Sequence, residues 1–356
     1  MKSPSITDSN QEQICLNSLS SSPSISSQSN NRTQFNKVLI IGLGQLGLPV
    51  AKYVNEKGFD TYGYDISHQA IENAEKTAGV KRAINFSEFD AYILCVSTHN
   101  PEDLFTPQID GLLSIVEIIS QEAKNGALVS IESTIPKGTS KKVFELLNHR
   151  LHVVHAPHRW YALEEKEHGV NQLRVIGGVC DCCLKAGMRF YNGSEAGTDI
   201  STKIIDSSSS DMAILNSSPK DEKICGIGKY GDKDKNNKSL DIRMHPVSRI
   251  EIAETTKIVE NAHRYLQIAF AQELYLYCEE NNINFPELRD ALNTKWNVNI
   301  LEPREGIGGH CLPKDTKMFL QSSKRENKIL TAAMQVDDDY RRFRSNLDRG
   351  LKSTLI

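Results

Sequence analysis

The chain has 356 residues, 39% hydrophobic and 24% charged, with a formal net charge of -3. That length accommodates two domains with sizeable cores, and the low, mixed charge excludes the basic face of a general nucleic-acid binder. No apolar run approaches the roughly 20 residues that cross a bilayer, and the N-terminus lacks the apolar stretch of a secretory signal, so a soluble cytoplasmic protein with no membrane contact and mostly reduced thiols is expected.

In chain order, residues 1–35 are rich in Ser, Asn and Gln without helical or strand period, and read as a disordered tail. At Lys37 the character changes. A buried-strand pattern, KVLII, runs directly into Gly42-Leu43-Gly44-Gln45-Leu46-Gly47, then a helical stretch over 48–57, then a strand over 60–64 ending at Asp65. Strand, GxGxxG, helix, strand and acid together form a dinucleotide-binding fingerprint. Gly42 makes the tight turn, Gly44 lets a pyrophosphate approach, and Gly47 lets helix and strand pack. Gln45 and Leu46 complete the loop against the cofactor. Asp65 is expected to accept from the adenosine 2′-OH and to repel a 2′-phosphate, which favours NAD over NADP.

Further strands are expected over 91–96, 127–131, 151–154 and 173–176, with helices between them. Such alternation predicts an α/β fold, a Rossmann-type doubly wound parallel sheet over 36–191. Ligands of such sheets sit at the carboxyl ends of the strands, where Ser97-Thr98, Ser133-Thr134 and Pro157-His158-Arg159 fall. Cys180-Asp181-Cys182-Cys183 invites a metal, but Cys225 stands alone in a polar stretch and no second cluster lies at zinc spacing. A helix start with small packed residues is the alternative, and no metal is expected. Residues 192–245, with SSSS and DKDKNNK, read as a flexible polar insertion.

A mainly helical central domain is expected over 246–330, opening with a long helix to about Asn281 that places Lys257 and Asn261 on one face. A solvated face would carry the same pattern. It ends in the loop EPREGIGGHCLPKD, residues 302–315. Gly308 and Gly309 let backbone approach a substrate. Cys311, with a cation and a carboxylate close behind it in Lys314 and Asp315, is a candidate nucleophile; a buried thiol near a helix start is the alternative.

Together GLGQLGLPVA (42–51), CVST (95–98), ESTIPKGT (132–139), RVIGG (174–178), AETTKIVENAHRYLQIAFAQEL (253–274) and GIGGHCLPKD (306–315) make the chain resemble the nucleotide-sugar 6-dehydrogenases. These include UDP-glucose, GDP-mannose and UDP-N-acetylmannosamine dehydrogenases, and GGHC resembles the branch acting on N-acetylated UDP-hexosamines. The resemblance implies oxidation of the C6 alcohol of a nucleotide sugar to a uronate with two NAD and one water, for glycan or polysaccharide precursors. It implies a Cys311 thiohemiacetal and thioester, donors to the oxyanion in Lys257 and Asn261, a water-orienting carboxylate in Asp315, Thr134 near cofactor and reacting carbon, and Arg159 on substrate. It also implies a homodimer built on the long central helix.

Two departures stand out. His158 occupies the position where the family carries the Glu of a Pro-Glu dipeptide, and is expected to take over its part in thioester hydrolysis; impaired hydrolysis or an altered substrate are the alternatives. The family's third domain, which covers the nucleotide, would follow residues 331–356, which read as the linker into it. A separate chain supplying that domain, weaker binding, or a different substrate are the alternatives. Two other functions fit parts of the sequence. A two-electron hydroxy-acid dehydrogenase has no need of Cys311, and a non-catalytic NAD sensor has no need of Lys257, Asn261 and Asp315.

Overall fold

The computed structural model describes residues 35–100, 107–159, 169–193, 238–309 and 311–354. The expected tail and most of the expected polar insertion lie outside them. Apolar runs form the central strands. β1 (Lys37–Ile41), β4 (Ala91–Leu94) and β5 (Leu128–Ile131) are almost wholly buried, as strands covered on both faces must be. β2 (Asp60–Tyr64), β3 (Lys81–Arg82), β6 (His152–His155), β7 (Arg174–Gly178) and β8 (Met244–Pro246) complete one sheet in the order β3-β2-β1-β4-β5-β6-β7-β8. Helices α1 (Gly47–Glu56), α2 (His68–Ala78), α3 (Asp110–Glu122), α4 (Thr139–Leu146) and α5 (Asp181–Asn192) alternate with the strands. The sheet follows the Rossmann order from β3 to β6.

The expected doubly wound parallel sheet is present, and one edge of it departs from the parallel run. β7 runs antiparallel to β6, with Val154 opposite Gly178, and β8 continues parallel to β7. A strand's own residues do not encode its direction; the edge from which the chain re-enters the sheet decides it. β7 therefore delivers its last residues to the amino end of β6. The folded part also extends into the expected insertion: Leu240 and Ile242 are buried in the core, and Met244 begins β8.

The second part is helical: α6 (Ile250–Asn281), α7 (Phe285–Asn293), α8 (Cys311–Ser322) and α9 (Lys328–Thr354). α6 has 32 residues, about 48 Å at 1.5 Å per residue. Its first turns dock on the sheet domain through Glu254, which is fully buried. Glu254 accepts the N–H of Gly138 at 2.6 Å and of Ser140 at 2.8 Å, capping α4, which has no side-chain cap of its own. α9 crosses the domain boundary expected at 330/331 and holds the cysteine loop. Asp337 accepts the N–H of Ile307 at 2.8 Å, Arg341 donates to the Ile307 carbonyl at 2.7 Å, and the Tyr340 hydroxyl donates to the Arg304 carbonyl at 2.6 Å. No described helix is long and apolar enough to cross a membrane.

Candidate active site

The glycine turn has the geometry its spacing predicts. Gly42 has φ 88°, and a Cβ there would lie 2.7 Å from the Cys95 carbonyl oxygen; a Cβ on Gly47 would strike the Gly42 carbonyl. Gly44 faces open space, and α1 begins without a side-chain cap. A cradle with open room above it and uncapped helix N–H groups below fits a pyrophosphate. Gln45 is exposed and Leu46 half-buried on this loop. Asp65 shapes the loop, accepting the Leu43 N–H at 2.7 Å and the Ser67 N–H at 2.8 Å. Each carboxylate oxygen keeps a second lone pair for a ribose hydroxyl.

At the carboxyl edge, Ser97 is exposed beside His99. Ser133 is buried and binds the carbonyls of Val96 and Leu94 at 2.6 and 3.2 Å, so it ties β4 to β5. Thr98 donates to the Thr134 carbonyl at 2.7 Å.

Onto this edge the N-terminus of α8 descends. Lys314 is buried and donates to the Thr98 hydroxyl at 3.1 Å, and its ammonium lies 3.2 Å from Asp315 Oδ1. The other oxygen of Asp315 accepts from Asn261 on α6. A polar chain thus runs Asn261–Asp315–Lys314–Thr98–Thr134 from the helical domain to the sheet. In the sequence Lys314 reads only as a cation close behind Cys311; its burial and its bond to Thr98 are not visible there.

Cys311 opens α8 and its side chain reaches solvent. Desolvation by neighbouring atoms pushes its thiol up; Asp315 adds to that, while Lys314 and Lys257 oppose it. Lys257, half-buried one turn before Asn261 on α6, therefore belongs to the same electrostatic neighbourhood. Gly308 faces open space, as does Gly309, whose φ of 74° favours glycine. Arg159 is engaged within the protein. Its guanidinium pairs with Glu260 on α6 and donates to the Leu173 carbonyl at 3.1 Å, fixing the β6 loop against the helix.

His158 sits in a buried cluster that sequence reasoning misses. Its Nε2 is 2.9 Å from Glu132 Oε2, which lies 3.0 Å from Arg174 Nη1. The Tyr191 hydroxyl donates to Oε1 of the same carboxylate. Burial pushes Glu132 up, but Arg174 first and then His158 and Tyr191 outweigh it and hold the carboxyl at about 2. Burial, with Arg174 adding, pushes His158 down to about 4. Burial likewise takes His155 to about 3. Both rings are neutral at physiological pH. Glu132 and Arg174 fall within the quoted motifs, yet nothing in their spacing reveals that they meet.

The sequence profile of the UDP-glucose/GDP-mannose dehydrogenase NAD binding domain matches residues 73–194, and that of the central domain matches 251–339, together more than half of the chain. The chain belongs to the UDP-glucose/GDP-mannose dehydrogenase family. The first match begins beyond the glycine turn, which the structure itself supplies. Among relatives, it is 28% identical over 325 residues to UDP-N-acetyl-D-mannosamine dehydrogenase of Methanococcus maripaludis, covering 85% of this chain and 65% of that protein. The enzyme of the same name from Campylobacter jejuni is 27% identical, over 87% of this chain and 73% of that one. The structure of UDP-D-ManNAc dehydrogenase from Pyrococcus horikoshii superposes with a TM-score of 0.67 at 24% identity, over 90% of this chain and 72% of that one. That likeness speaks to the fold. The central-domain match reaches residue 339, so the first turns of α9 belong to the family's central domain.

Proposed function

We propose that the chain oxidises the C6 alcohol of a nucleotide sugar, a UDP-hexose or UDP-N-acetylhexosamine, to the uronate with NAD. The observation that supports this reading is the polar chain from Asn261 through Asp315 and Lys314 to Thr98, which ties the helix that Cys311 opens to the carboxyl edge of the sheet. The names of the relatives from Methanococcus maripaludis and Campylobacter jejuni favour an N-acetylated sugar. Gly42, Gly44, Gly47 and Asp65 would hold NAD, which supplies the two-electron acceptor for each of two oxidations.

The protein's own groups then divide the work. The Cys311 thiol adds to the C6 aldehyde, with Lys257 and Asn261 donating to the oxygen that gains charge. The second oxidation leaves a Cys311 thioester, and water displaces the thiol to give the carboxylate. Asp315, held by Asn261 and Lys314, takes the proton of that water. Arg159 acts by position, through Glu260 and the Leu173 carbonyl. Four exposed apolar residues of α6, Ile252, Val259, Phe270 and Tyr277, recur at spacings that return to one helical face. That stripe supports a homodimer along α6.

The test is stoichiometric. UDP- and GDP-sugars are offered with NAD, and both NADH and product mass are followed. Two NADH per sugar, with the uronate as product, are expected. One NADH indicates a simple alcohol dehydrogenase, and no turnover an NAD-binding protein that catalyses nothing here; either outcome refutes the proposal.

The His158–Glu132 pair is proposed to take the place of the family's glutamate in hydrolysis. His158→Ala is expected to slow release of the Cys311 thioester by at least about 100-fold, the low end for a lost acid–base partner, and a sugar-acid adduct then accumulates on the protein. His158→Gln, which preserves a donor for Glu132 and the fold but moves no proton, should show the same accumulation. Thioester turnover at the parental rate in both variants would refute the role.

A further inference from the structure

Cys180-Asp181-Cys182-Cys183 closes β7 and opens α5. Because β7 runs antiparallel to β6, this turn lies at the amino end of β6, across the sheet from the edge that carries Cys311. His152 is the first residue of β6, and it meets the thiols there. One ring nitrogen of His152 and the Sγ atoms of Cys182 and Cys183 all lie within 4.8 Å of one another. The Sγ of Cys180 is 2.9 Å from that of Cys182 and 3.3 Å from that of Cys183.

Three thiols and an imidazole are one of the standard donor sets for structural Zn2+, which binds sulfur at about 2.3 Å in a tetrahedron. That geometry sets sulfurs roughly 3.8 Å apart, so the closest pair here would part by about 1 Å, and Cys180, which stands outside the group that meets within 4.8 Å, would turn toward His152. The surroundings offer hydrogen-bond donors to metal-bound sulfur. Cys180 is the N-cap of α5, where unpaired N–H groups and the helix dipole stabilise negative sulfur. The Cys183 sulfur accepts the Val153 N–H at 3.3 Å, the kind of outer support that ligands receive. The Nδ1 atom of His152 is buried and makes no hydrogen bond in the structure. Cys180 and Cys183 are buried, while Cys182 and His152 are half-buried, so the cluster is shielded yet reachable.

We propose that His152, Cys180, Cys182 and Cys183 bind one Zn2+ ion that ties the start of β6 to the start of α5. The three thiols release their protons as the ion binds. The four ligands come from two segments about thirty residues apart, so the ion would pin the antiparallel edge of the sheet.

The whole chain, reduced and freed of metal with a chelator, is titrated with Zn2+ and, as a spectroscopic stand-in, with Co2+. About one equivalent per chain is expected to bind, with the visible bands of tetrahedral cobalt and its thiolate charge-transfer absorption, and with a rise in Tm. Cys182→Ser and His152→Asn, both at half-buried positions, should each weaken binding by at least about 100-fold, since each removes one of four ligands. Cys311→Ser should leave it intact. The proposal fails if the parent binds no ion or only Cu(I). It also fails if both variants bind Zn2+ as tightly as the parent, or if a Cys180–Cys182 disulfide persists under reducing conditions in place of binding.

Discussion

Cys311→Ala is expected to lower uronate formation by on the order of 10^3-fold or more, the scale on which loss of a covalent nucleophile acts. The first oxidation, to the aldehyde, should remain, since it requires no thiol. A single-turnover experiment separates the two: a burst of about one NADH per chain, aldehyde released, and no sugar-acid adduct. The side chain of Cys311 reaches solvent, so an unchanged Tm is expected and a folding defect would be visible as such. Desolvation of the sulfur by its neighbours and the Asp315 charge push this thiol up, so it rests protonated at neutral pH. The rate of the thiol-dependent half should therefore climb with pH toward the range where the thiol ionises, while the first oxidation does not share that rise. If Cys311→Ala still yields two NADH per sugar at the parental rate, the thioester route is wrong.

Elements with local signals were legible in the sequence. β1, the glycine turn, α1 and β2 stand where the fingerprint puts them, because apolar period and glycine position act over a few residues. Relations between distant segments were not. The direction of β7 is invisible in RVIGG, and with it the approach of His152 to Cys182 and Cys183 thirty residues on. Lys314 reads in the sequence as a cation beside Cys311, yet its hold on the sheet appears only when Thr98, from another domain, comes within 3.1 Å. The hold of Asp337, Tyr340 and Arg341 on the cysteine loop is similarly hidden in what reads as a linker. The partners of Arg159 are hidden in the same way: its pairing with Glu260, 101 residues on, has no local signal.

Arg174→Met should be the most destabilising of the variants considered, by about 3–5 kcal/mol at neutral pH, because it strips the main cation from a carboxylate buried to 1% exposure. Glu132 would be left with Tyr191 and a neutral His158, neither of which carries positive charge. The double variant Glu132→Gln with Arg174→Met should recover most of the loss, since replacing a whole buried pair costs far less than breaking it. The pH dependence follows from the same cluster. Glu132 is held at about 2, below its ordinary 4.5, so the stability it confers is complete above about pH 4.5 and is lost as pH falls toward 2. His158 and His155 are held at about 4 and about 3, below the ordinary 6.5. The unfolded chain therefore binds their protons first, and the parent loses stability as pH falls below about 6.5. In Arg174→Met the unpaired carboxylate can take a proton well above pH 2, which relieves its buried charge. Urea unfolding at a series of pH values should thus show parent and variant far apart at pH 7 and converging toward pH 4. A gap below about 1 kcal/mol at pH 7, the worth of an exposed pair, or a gap that widens in acid, would show that this cluster is not what holds β5, β7 and α5 together.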